Sequence, residues 1–331
     1  MKSFFKIFFS IFLLLPLYAN EDKTKWLIPK EIPAPKDNQI TPKRVELGKF
    51  LYFDKRLSLT GDISCASCHH PDLGWSDGKK KAVGIHGKIG PRNSPTVLNT
   101  AFQSRQFWDG RAKSLEEQAL GPMQADIEMG MTFEKIMERI DANKGYVKLF
   151  AEAYPDDLLA IETVAKAIAT FERTIISKEA PFDKFIKGDN NAINDEAKKG
   201  WELFRGKAKC ATCHDGFNFT DGSFHNIALG DDDIGRQALK MKRKAWKGAM
   251  KTPTLRYVDQ SAPYFHDGSA ETLEESIEVC GEGGRDQDDP YRSPDMKDRS
   301  LSDKELSQIN EFLKTLTGNK LDIIEPENFP Q

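Results

Sequence analysis

Two short runs, Cys65-Ala66-Ser67-Cys68-His69 and Cys210-Ala211-Thr212-Cys213-His214, decide how the rest of the chain is read. Each is a C-x-x-C-H pattern, the attachment signature of a c-type heme. Two thiols three residues apart reach the two vinyl groups of one porphyrin, and the histidine that follows falls under the iron as its proximal ligand. A redox disulfide or half of a zinc site would need no histidine after the second Cys, yet one stands there in both runs. The expected cofactors are therefore two covalently bound heme c groups. One is attached through Cys65 and Cys68 with His69 as ligand, the other through Cys210 and Cys213 with His214.

A length of 331 residues favours two domains. The chain is 30% charged with a net charge of −3, an ordinary globular balance that offers nothing to nucleic acid. Residues 1–19 differ. Lys2 and Lys6 precede the apolar run from Ile7 to Leu17, and Ala19 closes it. This reads as a secretory signal peptide cut after Ala19, too short and too soon interrupted by Pro16 for a spanning helix. Export to the periplasm agrees with covalent heme attachment, which takes place outside the bacterial inner membrane. Four of the five cysteines belong to the two runs. Cys280 is left over, and an odd cysteine in an exported chain needs an explanation.

Prolines 29, 33, 35 and 42 make residues 20–45 an extended arm. Helical signals begin at Val45, while Gly and Pro crowd residues 71–95 into loop. The i, i+3, i+4, i+7 pattern predicts a helix over 132–142 through Phe133, Ile136, Met137 and Ile140. Another covers about 159–176, with Val164, Ile168, Phe171 and Ile175 on one face. A helix over 195–205 leads into the second run. The last helix opens on the capping box Ser302-Asp303-Lys304-Glu305, buries Leu306, Ile309, Leu313 and Leu316, and stops at Gly318. Strand signals are few, so the class is mainly α.

The two runs sit in an internal repeat. Gly48 to Phe53 corresponds to Gly200 to Phe204. Ser94-Pro95-Thr96 corresponds to Thr252-Pro253-Thr254. The stretch from Phe107 to Glu117 corresponds to that from Phe265 to Glu275. Trp108 follows Pro95 by 13 residues, and His266 follows Pro253 by the same 13. The expected architecture is two tandem class I cytochrome c-like domains, 20–177 and 178–331, each binding one covalent heme.

A duplicated domain lets each position be read against its twin. Cys280 lies 14 residues after His266, and the twin position, 14 after Trp108, is Pro122, which cannot ligate. If this position faces the iron, the second heme can be six-coordinate through His214 and Cys280 while the first is open there unless a loop residue enters; otherwise Cys280 is a buried spare thiol. A peroxide-cleaving iron needs a base for the near oxygen's proton and an acid for the leaving oxygen. Glu128, just past Pro122, is a carboxylate suited to both tasks, and Gln118 and His86 are further candidates around the first iron. Trp108, an aromatic beside the repeat boundary, could carry electrons between the hemes or simply pack in the core.

These motifs resemble those of the bacterial diheme cytochrome c peroxidase and MauG superfamily, over about Leu47 to Gly318. The resemblance rests on both heme runs, Gly90-Pro91-Arg92-Asn93-Ser94-Pro95-Thr96, Phe107-Trp108-Asp109-Gly110-Arg111, Gln118 to Glu128, and Pro263-Tyr264-Phe265-His266-Asp267-Gly268. It implies a peroxidatic N-terminal heme and a C-terminal heme that relays electrons, with Trp108 between them. Gln118 and Glu128 then form the distal pocket. It also implies a calcium ion between the domains, held by the Asn93 side chain and the Ser261 and Pro263 carbonyls, with water completing the oxygen shell. His86 lies in the loop from which such peroxidases send a removable ligand to the first iron.

The expected activity is reduction of hydrogen peroxide with electrons from a small redox protein such as cytochrome c, and family members are often homodimers. The chain departs from the pattern at Cys280, where peroxidases of the family carry Met and MauG-type proteins Tyr. A thiolate there would lower the potential of the second heme. The glycine-rich run after it looks MauG-like. The alternative activity is therefore a MauG-like one, in which two oxidising equivalents stored across both hemes oxidise side chains of a partner protein.

Overall fold

The computed structural model describes residues 23–239 and 246–331, and the expected signal segment 1–19 lies outside them. The fold is mainly helical. Two helix crossings organise it. Helix α1 (Pro42–Phe53) starts where Pro42 occupies the first turn and the Thr41 hydroxyl accepts from the Arg44 N–H. The first heme run follows in the short helix α2 (Cys65–Cys68). Next come α3 (Leu115–Gln124), α4 (Phe133–Asp141), α5 (Lys144–Ala153) and α6 (Ile161–Glu172). Helix α6 packs across α1 at Gly48, where a β-carbon would lie 2.0 Å from the Ala167 carbonyl oxygen. Only glycine lets two backbones approach this closely.

The second half repeats the device. Helices α7 (Pro181–Ile186) and α8 (Asp195–Arg205) precede the second run, and α9 (Leu273–Glu282) and α10 (Asp303–Lys314) follow it. Helix α10 crosses α8 at Gly200, where a β-carbon would lie 1.9 Å from the Gln308 carbonyl oxygen. Helices α3 and α9 begin alike. Ser114 and Thr272 cap them, and Glu117 and Glu275 accept from the backbone N–H of Lys113 and Glu271, each at 2.8 Å. The two-residue strands β1 (Phe224–His225) and β2 (Met250–Lys251) pair antiparallel beside the second run.

The helix expected over 159–176 ends at Glu172, because residues 175–180 run extended towards Pro181. Helix α10 has the expected reciprocal cap between Ser302 and Glu305. It ends at Lys314, four residues before Gly318, and buries Phe312 along with the expected Ile309 and Leu313.

Buried side chains form two clusters. The first gathers α1 and α3–α6 around Leu47, Tyr52, Ile168 and Phe171. The second is aromatic, with Trp26, Phe182, Trp201, Phe204, Phe219 and Phe312 packed mostly edge to face. The chain ends cross between the clusters. Trp26, 1% exposed, belongs to the second cluster, and Leu321, Ile323 and Phe329 pack on the first. Trp26 thus packs in the second cluster although it precedes the first run in sequence. Among the described residues, no helix is long and apolar enough to cross a membrane.

Candidate functional site: a cavity shared by two heme-attachment runs

One continuous cavity is lined by Cys65, Cys68 and His69 and by Cys210, Cys213 and His214. All five cysteines are free thiols, so no disulfide competes for either pair. His214 Nδ1 lies 2.8 Å from the Phe219 carbonyl oxygen. A carbonyl only accepts, so Nδ1 carries the proton and Nε2 is left as the ligating nitrogen. His69 Nδ1 is buried with no hydrogen-bond partner. Burial lowers the pKa of both imidazoles, which keeps them neutral as ligation requires. Free thiol pairs, neutral histidines and an enclosed apolar wall fit two covalently attached hemes.

Around the first run the cavity is finished by Gln118 from α3 and by Glu128. The peptide of Glu128 is clamped from behind. Its carbonyl accepts from the Ile85 N–H at 2.9 Å, and Lys88 donates to the Asp126 carbonyl at 3.0 Å. Gly84 sits so close that a β-carbon would lie 2.1 Å from the Ile127 oxygen. Burial raises the Glu128 pKa against the opposing pull of Arg111. His86 lies in the same clamping turn, but it is exposed at φ 57° and does not line the cavity. In this structure its turn serves to fix Glu128, while the imidazole points elsewhere than the first run.

Trp108 lines the same cavity, and its indole N–H donates to the Asn93 carbonyl at 2.9 Å. Its repeat twin His266 faces it at 6.3 Å between ring centroids and pairs with Asp231 at 2.7 Å. The pair is braced across the midline. Asn93 N–H donates to the His266 carbonyl, and Lys251 N–H donates to the Trp108 carbonyl, both at 2.7 Å. Arg92 bridges Asp109 and Asp233, each at 2.7 Å.

The twin positions Pro122 and Cys280 both line the cavity. Cys280 is exposed to the cavity, while the surrounding protein and the nearby Cys213 push its thiol up to about 12. Asn93, Ser261 and Pro263 also reach this wall. Asn93 uses its amide nitrogen on the Lys79 carbonyl at 2.8 Å, which turns its amide oxygen away from that contact.

Three residues on the cavity wall escaped the sequence reading. Lys251 donates to Gln103 from a buried position that lowers its pKa to about 8. Met296, in a loop beyond α9, shares the wall with Cys280. Glu172, at the end of α6, is 3% exposed, and its Oε2 has no hydrogen-bond partner. Only the twin comparison signals Glu172, because its helix otherwise reads as an ordinary amphipathic one.

The model of the di-haem cytochrome c peroxidase family matches residues 42–191. The methylamine utilization protein MauG of Methylorubrum extorquens is 43% identical over 308 residues, covering 92% of this chain and 87% of that protein. The cytochrome c551 peroxidase of Nitrosomonas europaea is 37% identical, covering 87% of this chain and 86% of its own. The crystal structure of a MauG-like protein associated with microbial copper homeostasis superposes with a TM-score of 0.81 at 30% identity, over 88% of this chain and 95% of that one. Relatives of this identity and coverage, with two attachment runs lining one cavity, make the chain an oxidoreductase of the di-haem cytochrome c peroxidase and MauG family.

Proposed function

We propose that the chain is a periplasmic diheme peroxidase that reduces hydrogen peroxide to water with electrons from a small redox protein such as a cytochrome c. Glu128 carries this reading: a carboxyl clamped from behind, half-buried, and facing the cavity beside the first run. Heme units of about 20–177 and 178–331, with their terminal segments exchanged, give the architecture. A heme attached at the first run would supply the iron and relay the electrons for peroxide reduction. His69 would hold that group, and the twin of Cys280 there is Pro122, which offers no ligand atom. Glu128 takes the proton of the near oxygen and returns it to the leaving oxygen, and Gln118 orients the peroxide. Trp108, braced at Asn93, conducts electrons between the two hemes. His214 and Cys280 hold the second heme. Asn93 Oδ1 with the Ser261 and Pro263 carbonyls would hold a calcium ion, as the family resemblance implies.

Cys280 favours a second reading. A cysteine in the place of the usual methionine, and a MauG relative at 43% identity, support a MauG-like enzyme that oxidises side chains of a partner protein. Stopped-flow turnover separates the two. Rapid peroxide consumption with reduced cytochrome c is expected; slow consumption with a long-lived oxidised state of both hemes would favour the second. EPR of the oxidised and half-reduced protein checks the ligands. Cys280→Ala should shift the spin state or potential of one heme with the heme count still two, and an unchanged spectrum would make Cys280 a spare thiol.

A further inference from the structure

Helices α6 and α10 are twins. Gly48 packs on Ala167 and Phe171 of α6, as Gly200 packs on Gln308 and Phe312 of α10. One residue further on, Glu172 therefore corresponds to Leu313, and Ile168 corresponds to Ile309. All four line the cavity. At the second run this position is apolar, as the flank of a heme usually is. At the first run it is a carboxyl group, 3% exposed, with one oxygen unpartnered. An ionised carboxylate left there would carry the full cost of desolvation.

The charged and titratable groups around Glu172 do not neutralise it. Arg173 is committed to Glu116 of α3 through contacts of 2.8 and 3.0 Å. Tyr52 of α1 donates its hydroxyl to the His69 carbonyl at 2.9 Å. Cys65 is close enough for Glu172 and Glu128 both to raise its pKa. Burial pushes the Glu172 carboxyl up to about 8, Glu116 raises it further, and Arg173 opposes the rise.

We infer that Glu172 is a second proton-holding group of the first heme site, protonated at rest and exchanging that proton as the heme held by His69 changes oxidation state. The inference rests on the peroxidase reading for its purpose. Each peroxide takes two electrons and two protons, its O–O bond breaks, and two waters form. Glu128 only moves a proton the peroxide already carries. The two consumed protons must come from elsewhere, and Glu172 gives one through its carboxyl O–H and is refilled from water. The electrons come from the reduced donor protein.

The test uses the intact diheme protein and redox-difference infrared spectroscopy. The wild type should show a protonated carboxyl C=O band that shifts in D2O. Glu172→Gln and Glu172→Leu, the latter installing the twin residue, should both lose it, whereas Glu128→Gln should keep it. In parallel, the midpoint potential of the heme held by His69 should fall with rising pH in the wild type and lose most of that slope in both Glu172 variants, with the other heme unchanged. A wild type without the band, or a band and slope that survive in either Glu172 variant, overturns the inference. Peroxide turnover of the wild type is read separately, so failure of the peroxidase reading is seen apart from failure of the proton assignment.

Discussion

A carboxyl group shuttles protons better the more readily it holds one, and burial moves the Glu128 pKa upward, in that direction. Glu128→Gln keeps the shape and removes the exchangeable proton. Peroxide turnover should fall by roughly 10²–10⁴-fold, with two hemes still attached by pyridine-hemochrome assay. Glu172 makes a stability prediction of its own. Its folded pKa of about 8 lies above the ordinary 4.5, so the folded state holds a proton that the unfolded chain has released between those values. Its contribution is complete at low pH and is lost as pH rises through 8. The thermal midpoint of the wild type relative to Glu172→Gln should therefore decline between about pH 5 and pH 8. A pH-independent difference would contradict the burial of that group. The heme-binding residues were legible because cysteine chemistry needs a fixed local spacing. Glu172 was not, since a glutamate beside Arg173 at a helix end looks solvated until its twin Leu313 is set against it.

At the scale of elements, the periodic helices were readable and the connections were not. Helices α4, α8 and α10 start and stop near where pattern and caps put them, because one apolar face and a capping side chain are encoded locally. The stretch 71–95 is loop as expected, but its purpose depends on contacts with residues 126–128 that no local pattern reports. His86 shows the consequence: it is exposed in a turn whose neighbours Ile85 and Lys88 make the clamp. The crossings give a sharper test. Gly200→Ala drives a methyl to 1.9 Å from a backbone oxygen, so α8 and α10 must separate. We expect a loss of about 1–3 kcal/mol in chemical denaturation, with Gly48→Ala behaving alike. Alanine at Gly188, with nothing near its β-carbon but φ at 109°, meets backbone strain and no such clash.

At the scale of the whole molecule, the repeat was visible in sequence and the exchange of ends was not. Trp26 stands in a proline-rich arm with no periodicity around it, so nothing local assigns it to the distant aromatic cluster. Trp26→Ala should cost about 3–5 kcal/mol, read as earlier unfolding of the second half by heme-specific absorbance. Arg256 would feel it too, since its guanidinium donates to the Trp26 carbonyl and pairs with Asp183 at 2.8 Å. The exchanged segments also couple the two halves. Phe50 meets Phe329 at 6.4 Å and Trp26 meets Trp201 at 4.8 Å, so each core holds an aromatic contact supplied by a stretch of chain remote from it in sequence. Loosening one core should therefore loosen the other, and the two halves are expected to unfold together rather than in turn.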